Sequence, residues 1–162
     1  MVPVRLEPIR DDLLVERVAV VAATDAQPRE VMPLGPGDTQ WTPALRERFR
    51  AMHRGRFHGL DGPNGEQGWA VLAQGEVVGV VRMSRLEGQE THEVGIWIAA
   101  SRRGEGLGTA TLAACRSLAA DLGVHDLVAE TTTANVAALA VVRHHGARLT
   151  PAGGGALRGR FE

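Results

Sequence analysis

The chain contains no tyrosine and no lysine: all 18 residues counted as Lys+Arg are arginine. That removes the phenolic acid, the amine base and the Schiff-base nucleophile from its catalytic repertoire. A single cysteine, Cys115, excludes an internal disulfide framework and fits a reducing compartment. No stretch approaches the roughly 18 uncharged apolar residues of a membrane span. The N-terminal segment carries Arg5, Glu7, Arg10, Asp11 and Asp12 before any apolar run, unlike a signal peptide. A net charge of −1 lacks the basic footprint that nucleic-acid binding requires. The expectation is a cytoplasmic protein with neither nucleic-acid nor membrane partners.

What is present is an ordinary globular composition, 44% hydrophobic and 23% charged over 162 residues, which predicts one domain over 1–162. Val4 and Leu6, with Ile9 at the end, alternate with charged residues and predict a short first strand. Asp11 and Asp12 offer caps for a helix over 13–23, and 27–39 reads as a Pro/Gly-rich loop. Thr42-Pro43 opens a second helix with Leu45, Phe49 and Met52 on its apolar stripe. Arg46, Arg50 and Arg54 form a second stripe, either a docking surface for an acidic acceptor or a solvated face. A turn-rich connector, 60–68, precedes a predicted hairpin of strands 69–73 and 76–86. The loop 87–91 then leads to a strand over 93–98.

The chain pivots on Arg102-Arg103-Gly104-Glu105-Gly106-Leu107-Gly108-Thr109-Ala110. This glycine turn joins the strand 93–98 to an apolar-striped helix running to about Leu122 and ended by Gly123. Such a turn gathers backbone N–H groups around an anionic phosphate. It is Gly-x-Gly-x-Gly, late in the chain, and so does not fit a dinucleotide fingerprint. A nucleoside-triphosphate loop would place a Lys after Gly108, where Thr109 stands. A strand over 126–132 follows, parallel to 93–98 through the helical crossover. Asn135 caps a helix over 136–145, and two short strands, 147–150 and 156–161, close the chain.

Arg103-x-x-Gly106-x-Gly108 resembles the Gln/Arg-x-x-Gly-x-Gly/Ala signature of the GNAT superfamily of acyl-CoA-dependent N-acyltransferases. Glu93-Val94-Gly95-Ile96-Trp97-Ile98 stands where the central strand of that family stands. Asn135, Ala138 and Gly146 match its Asn-x-x-Ser/Ala…Gly pattern. The resemblance implies a mixed α/β (α+β) fold: a mostly antiparallel central sheet with one splayed parallel strand pair, flanked by about four helices. It implies acetyl-CoA as co-substrate and a primary amine as acceptor, with no metal, and leaves a homodimer open. The pyrophosphate would sit on the amides of Arg103, Gly104, Glu105, Gly106, Leu107, Gly108 and Thr109. The pantetheine would lie along Ile96, Trp97 and Ile98, the Ile98 amide polarising the thioester carbonyl, with Asn135 and Ala138 opposite. Glu105 departs from the basic residue many members carry, and must point away from the phosphate or weaken binding; Arg102 and Arg103 could compensate.

By strand alternation Glu93, Gly95 and Trp97 share one face, beside a glycine that leaves room for a ligand. Val94, Ile96 and Ile98 share the other face, which reads as core. The resemblance gives Glu93 the role of base; a strand-end carboxylate paired with an arginine is the plain alternative. The frequent tyrosine of the family falls on Val142. His145, three residues further along the same helical face, is the candidate acid, with water and Ser84 as competitors. His53 and His58 lack metal-ligand spacing, and Cys115 is expected to be buried and inert. The acceptor is either a small molecule or a protein N-terminus, in a site shaped by 27–40 and 57–68, with Trp41 either its wall or packed on the second helix. A non-catalytic acyl-CoA-binding module is the alternative function.

Overall fold

Seven strands and five helices build the chain in the computed structural model, which describes residues 2–86, 88 and 90–162. Glu87 and Gln89, in the predicted 87–91 loop, lie outside the described residues. The strands are β1 (Arg5–Pro8), β2 (Glu66–Ala73), β3 (Glu76–Arg85), β4 (His92–Ile98), β5 (Leu127–Thr132), β6 (Arg148–Gly153) and β7 (Ala156–Phe161). They form one sheet in the order β1-β2-β3-β4-β5-β7-β6, antiparallel throughout except for the parallel pair β4-β5. The mixed α/β fold with one parallel pair is therefore the one the sequence predicts.

The helices are α1 (Asp12–Asp25), α2 (Pro28–Val31), α3 (Pro43–Arg54), α4 (Leu107–Asp121) and α5 (Val136–His144). Three of them start on the expected caps, α5 on Asn135. Asp11 Oδ1 accepts from the Leu14 amide at 2.8 Å, and Thr42 Oγ1 from the Leu45 amide at 3.0 Å, ahead of Pro43. α1 buries Leu14, Val15, Val18, Ala19 and Ala22 and packs with α3 over one face of the sheet, around Ala70, Val80 and Trp97. α4 covers the other face, where Leu107, Leu112 and Cys115 meet Val81, Met83 and Val94. No described helix is long and apolar enough to cross a membrane.

Three local expectations change. The predicted loop 27–39 contains α2, closed by a reciprocal cap between Gln27 and Glu30. The connector ends earlier than predicted, because β2 begins at Glu66. The stripe of α3 runs Leu45, Phe49, His53; Met52 is only half-buried. The arginine stripe is not a free docking face, since Arg50 grips Glu16 of α1 at 2.9 and 3.0 Å and Arg54 bonds Asp12 at 2.9 Å. Trp41 packs edge-on to Phe49 and donates Nε1–H to the Ala26 carbonyl, so it belongs to the helix layer.

β3 carries an irregularity that shapes its partner. Val71 pairs with Gly79 and Leu72 with Val77, leaving Val78 unmatched as a bulge beside the end of β4. A side chain on Gly79 would put its Cβ 2.1 Å from the Trp97 carbonyl oxygen. Gly79→Ala should therefore force β3 and β4 apart and lower stability by about 1–3 kcal/mol, read by urea unfolding.

Candidate active site

The parallel pair lasts three positions. His92, Glu93 and Val94 pair with Leu127, Val128 and Ala129, and then the strands part. The His92 amide reaches the Asp126 carbonyl on the β5 side, whereas the Ala99 amide bonds Val78 on the β3 side. Strand alternation then turns the N–H groups of Ile96 and Ile98 into the gap. The Ile98 carbonyl already accepts Arg103 Nε–H there, at 3.1 Å.

The gap is a cavity of about 640 Å³ running from β4 and β5 to the glycine turn and the start of α5. That lies within the range of small-molecule and cofactor sites. Every residue predicted to hold the cofactor lines it except Glu105. Gly106, at φ 79°, is the N-cap of α4 and offers no capping side chain. The first-turn amides of Leu107, Gly108 and Thr109 are thus open to an anion, with the positive end of the helix dipole behind them. Asn135 Oδ1 caps α5 through the Ala138 amide at 3.1 Å, which leaves its Nδ2 donors for the cavity.

The charged groups of the turn are committed elsewhere. Glu105 is turned to Arg102, Oε2 at 2.9 Å from Nε, and Arg102 also reaches Glu76. Arg103 Nη2 lies 2.5 Å from Glu30 of α2. Both arginines line the cavity while paired with these carboxylates, and the first-turn amides of α4 stand beside them without side-chain caps.

The two predicted catalytic side chains line neither this cavity nor the second one described next. Glu93 sits on the α1/α3 face with Oε1 3.4 Å from Arg82 Nη2, the arginine-paired arrangement. The space over Gly95 is taken by the same guanidinium, whose Nη2 would stand 2.9 Å from a Cβ there. The glycine makes room for Arg82, and it also lines both this cavity and the one on the opposite face. Arg82 also donates to Ser84. His145 ends α5 with Nε2 3.0 Å from the Thr109 carbonyl, so that nitrogen carries the proton, and Nδ1 faces Arg116 Nη1 at 3.5 Å. Its ring ties α4 to α5. Val142 lines the cavity at the tyrosine position.

A second cavity, about 410 Å³, lies on the opposite face of β4. Its floor is Glu66, Val80, Arg82, Gly95 and Trp97, and its roof comes from Arg29, Val31, Met32 and Pro33, from Met52 and His53 of α3, and from Arg56 just beyond that helix. The two cavities share Gly95 and Trp97. His53 was considered in the sequence only as a metal ligand. It is buried edge-on to Phe49, and neither ring nitrogen has a hydrogen-bond partner. Burial, then the nearby Arg56 charge, pushes its pKa from 6.5 down to about 3. Its signal was the 45-49-53 spacing, which puts a histidine in register with an apolar stripe. No cluster of metal-ligating side chains occurs among the described residues.

A family model for the acetyltransferase (GNAT) domain matches residues 4–148. The chain belongs to the GNAT acetyltransferase family. Solved GNAT structures share its fold at low identity. The ribosomal L7/L12 alpha-N-protein acetyltransferase RimL, in complex with coenzyme A, aligns with a TM-score of 0.74 at 18% identity, over 98% of this chain and 93% of that one. The GNAT domain of S. lividans PAT gives 0.70 at 19% identity, over 98% and 88%. The Campylobacter jejuni N-acetyltransferase PseH in complex with acetyl coenzyme A gives 0.68 at 11% identity, over 98% of both. Among curated proteins, no sequence matches this GNAT chain.

The depressed pKa of His53 has a consequence for stability. The unfolded chain takes up a proton on this histidine below about 6.5, whereas the folded chain does so only near 3. Its effect is nil above about pH 6.5 and destabilises as pH falls towards 3, by up to about 1.4 kcal/mol per unit, with no further change below. Urea unfolding against pH should show that acid limb in the parent and lose it in His53→Phe.

Proposed function

We propose that this GNAT protein moves an acetyl group from acetyl-CoA to a primary amine by direct attack in a ternary complex. The observation that carries the reading is the meeting of two cavities across β4 at Gly95 and Trp97. One opens on the glycine turn and suits a donor with a phosphate end; the other approaches the same strand from the far face and suits the acceptor.

In this reading the pyrophosphate rests on the amides of the glycine turn, and the pantetheine adds to the open edge of β4 like a short strand. The Ile98 N–H, aimed into the gap, stabilises the oxyanion of the tetrahedral intermediate. Neither cavity is lined by cysteine, serine or lysine. The Cys115 thiol is buried, with its pKa pushed up to about 12, so a covalent acyl-enzyme has no good nucleophile. Glu93, on the acceptor face two residues before Gly95, takes the amine proton through water. His145, with both ring nitrogens engaged, supports α4 and α5, and water returns a proton to the thiolate. The non-catalytic alternative draws on Val142, which puts an aliphatic group where an acid is common. A reducing, cytoplasmic setting fits the single buried cysteine.

Acetyl-CoA at about 100 times its Kd should add about 2.7 kcal/mol to stability. Gly106→Glu, which puts a carboxylate at the turn, should erase that gain; a gain equal to the parent's would move the cofactor away from the turn. Glu93→Gln should keep the gain and lose turnover, and turnover surviving at neutral and acidic pH would exclude Glu93 as the base. Tight CoA binding with no thiol release from any amine class would leave the binding-module reading standing.

A further inference from the structure

The second cavity is unusually rich in donors. Arg56 is nearly enclosed and spends only Nε on Glu66, at 2.7 Å; among the described residues its two Nη groups bond nothing. Arg29 of α2 is exposed and pairs with nothing among the described residues. His53 adds two unpartnered ring nitrogens in the same roof. A buried polar group left without a partner is expensive, and the two His53 nitrogens are of that kind, so the cavity calls for a ligand that can hydrogen-bond there beside the spare Arg56 and Arg29 donors. Arg82 differs, because both its Nη groups are occupied by Ser84 and Glu93.

Position on the sheet separates the two ends of the cavity. Gly68, Arg82 and Gly95 form one cross-strand row over β2, β3 and β4. The His53 ring lies over Gly68, its Nδ1 3.6 Å from where a Cβ would stand. Two inter-strand spacings put that end about 10 Å from Gly95, where the cavities meet.

We propose that the cavity selects an acceptor amine bearing a remote carboxylate or phosphate, the anion seated among Arg29, Arg56 and His53 and the nitrogen beside Trp97, next to the Arg82-covered Gly95 where the cavities meet. Arginine forks and an imidazole N–H together match the planar or tetrahedral oxygens of such a group. The inference rests on the acetyl-transfer reading above and names the acceptor class for that same site. An α-amino acid is too short to span the cavity, which favours an anion several bonds from the nitrogen.

The test uses thiol release from acetyl-CoA with three matched series of increasing length: ω-amino carboxylates, ω-amino phosphonates and ω-amino alcohols. An anionic series should exceed the alcohols in kcat/KM by roughly tenfold or more, peaking at a length spanning about 10 Å. The ratio of carboxylate to phosphonate names the anion. Arg29→Gln should collapse the anion-to-alcohol ratio, mainly through KM. His53→Phe should keep or raise Tm while lowering kcat/KM for the anionic series. Equal use of alcohols and anions, or an unchanged ratio in Arg29→Gln, overturns the proposal. So does a His53→Phe variant that loses Tm but keeps its kcat/KM. If no series is turned over while another amine class is, the proposal is overturned and acetyl transfer stands; if no amine class is turned over, the acetyl-transfer reading fails by itself. The anion inference is then read from Tm of the CoA-bound protein, which the anionic series must raise more than the alcohols do.

Discussion

Everything in this molecule depends on two parallel strands that stop pairing. β4 and β5 hold register for three residues and then diverge, so the N–H groups of Ile96 and Ile98 point into a gap instead of a ladder. Unpaired backbone is costly in a buried setting. The cost is tolerable here because β3 pairs the opposite edge of β4 along its whole length, to Gly79 opposite Ile98. The Val78 bulge and the missing side chain at Gly79 let β3 stay close to the strand end that carries the open groups. The glycine turn then places uncapped helical amides at the mouth of the same gap. A strand edge and a helix end, each incomplete alone, face one volume.

Charge is managed with the same economy. The turn carries two arginines and one carboxylate, yet Arg102 is tied to Glu105 and Arg103 to Glu30. Exposed ion pairs of this kind are worth little to stability. Their role is geometric: they turn Glu105 away from the amides and hold Arg103 across the end of β4. On the other face Arg82 lies over Gly95 and reaches Glu93, fixing the carboxylate beside the strand position where the two cavities meet.

The donor side was legible in the sequence because its elements are local. A strand, a glycine turn, a striped helix and an Asn-headed helix are each written in a few adjacent residues; the residues they nominate line the cleft apart from Glu105, whereas Glu30 of α2 and the wall from Ala129 to Thr132 of β5 do not follow from them. The acceptor side was not legible, because its walls come from α2, α3, β2, β3 and β4 and exist only after long-range packing. α2 is one turn in a Pro/Gly-rich stretch, too short to show periodicity. Gly95 suggested open space, but the register that sets Arg82 opposite it is a tertiary fact. His145 shared a helical face with Val142, yet the position of α4 decides that its ring bonds Thr109 rather than the cavity. His53 is legible as the third member of a four-residue spacing with Leu45 and Phe49, but the lack of any partner for its ring nitrogens exists only after tertiary packing.

The four-residue helix α2 gives Glu30 to the larger cavity and Arg29 and Val31 to the smaller one. It is a party wall between two rooms. A ligand that draws Arg103 away from Glu30 on one side alters the anchorage of the wall seen from the other. Thermodynamic linkage would make any such coupling reciprocal between the two cavities.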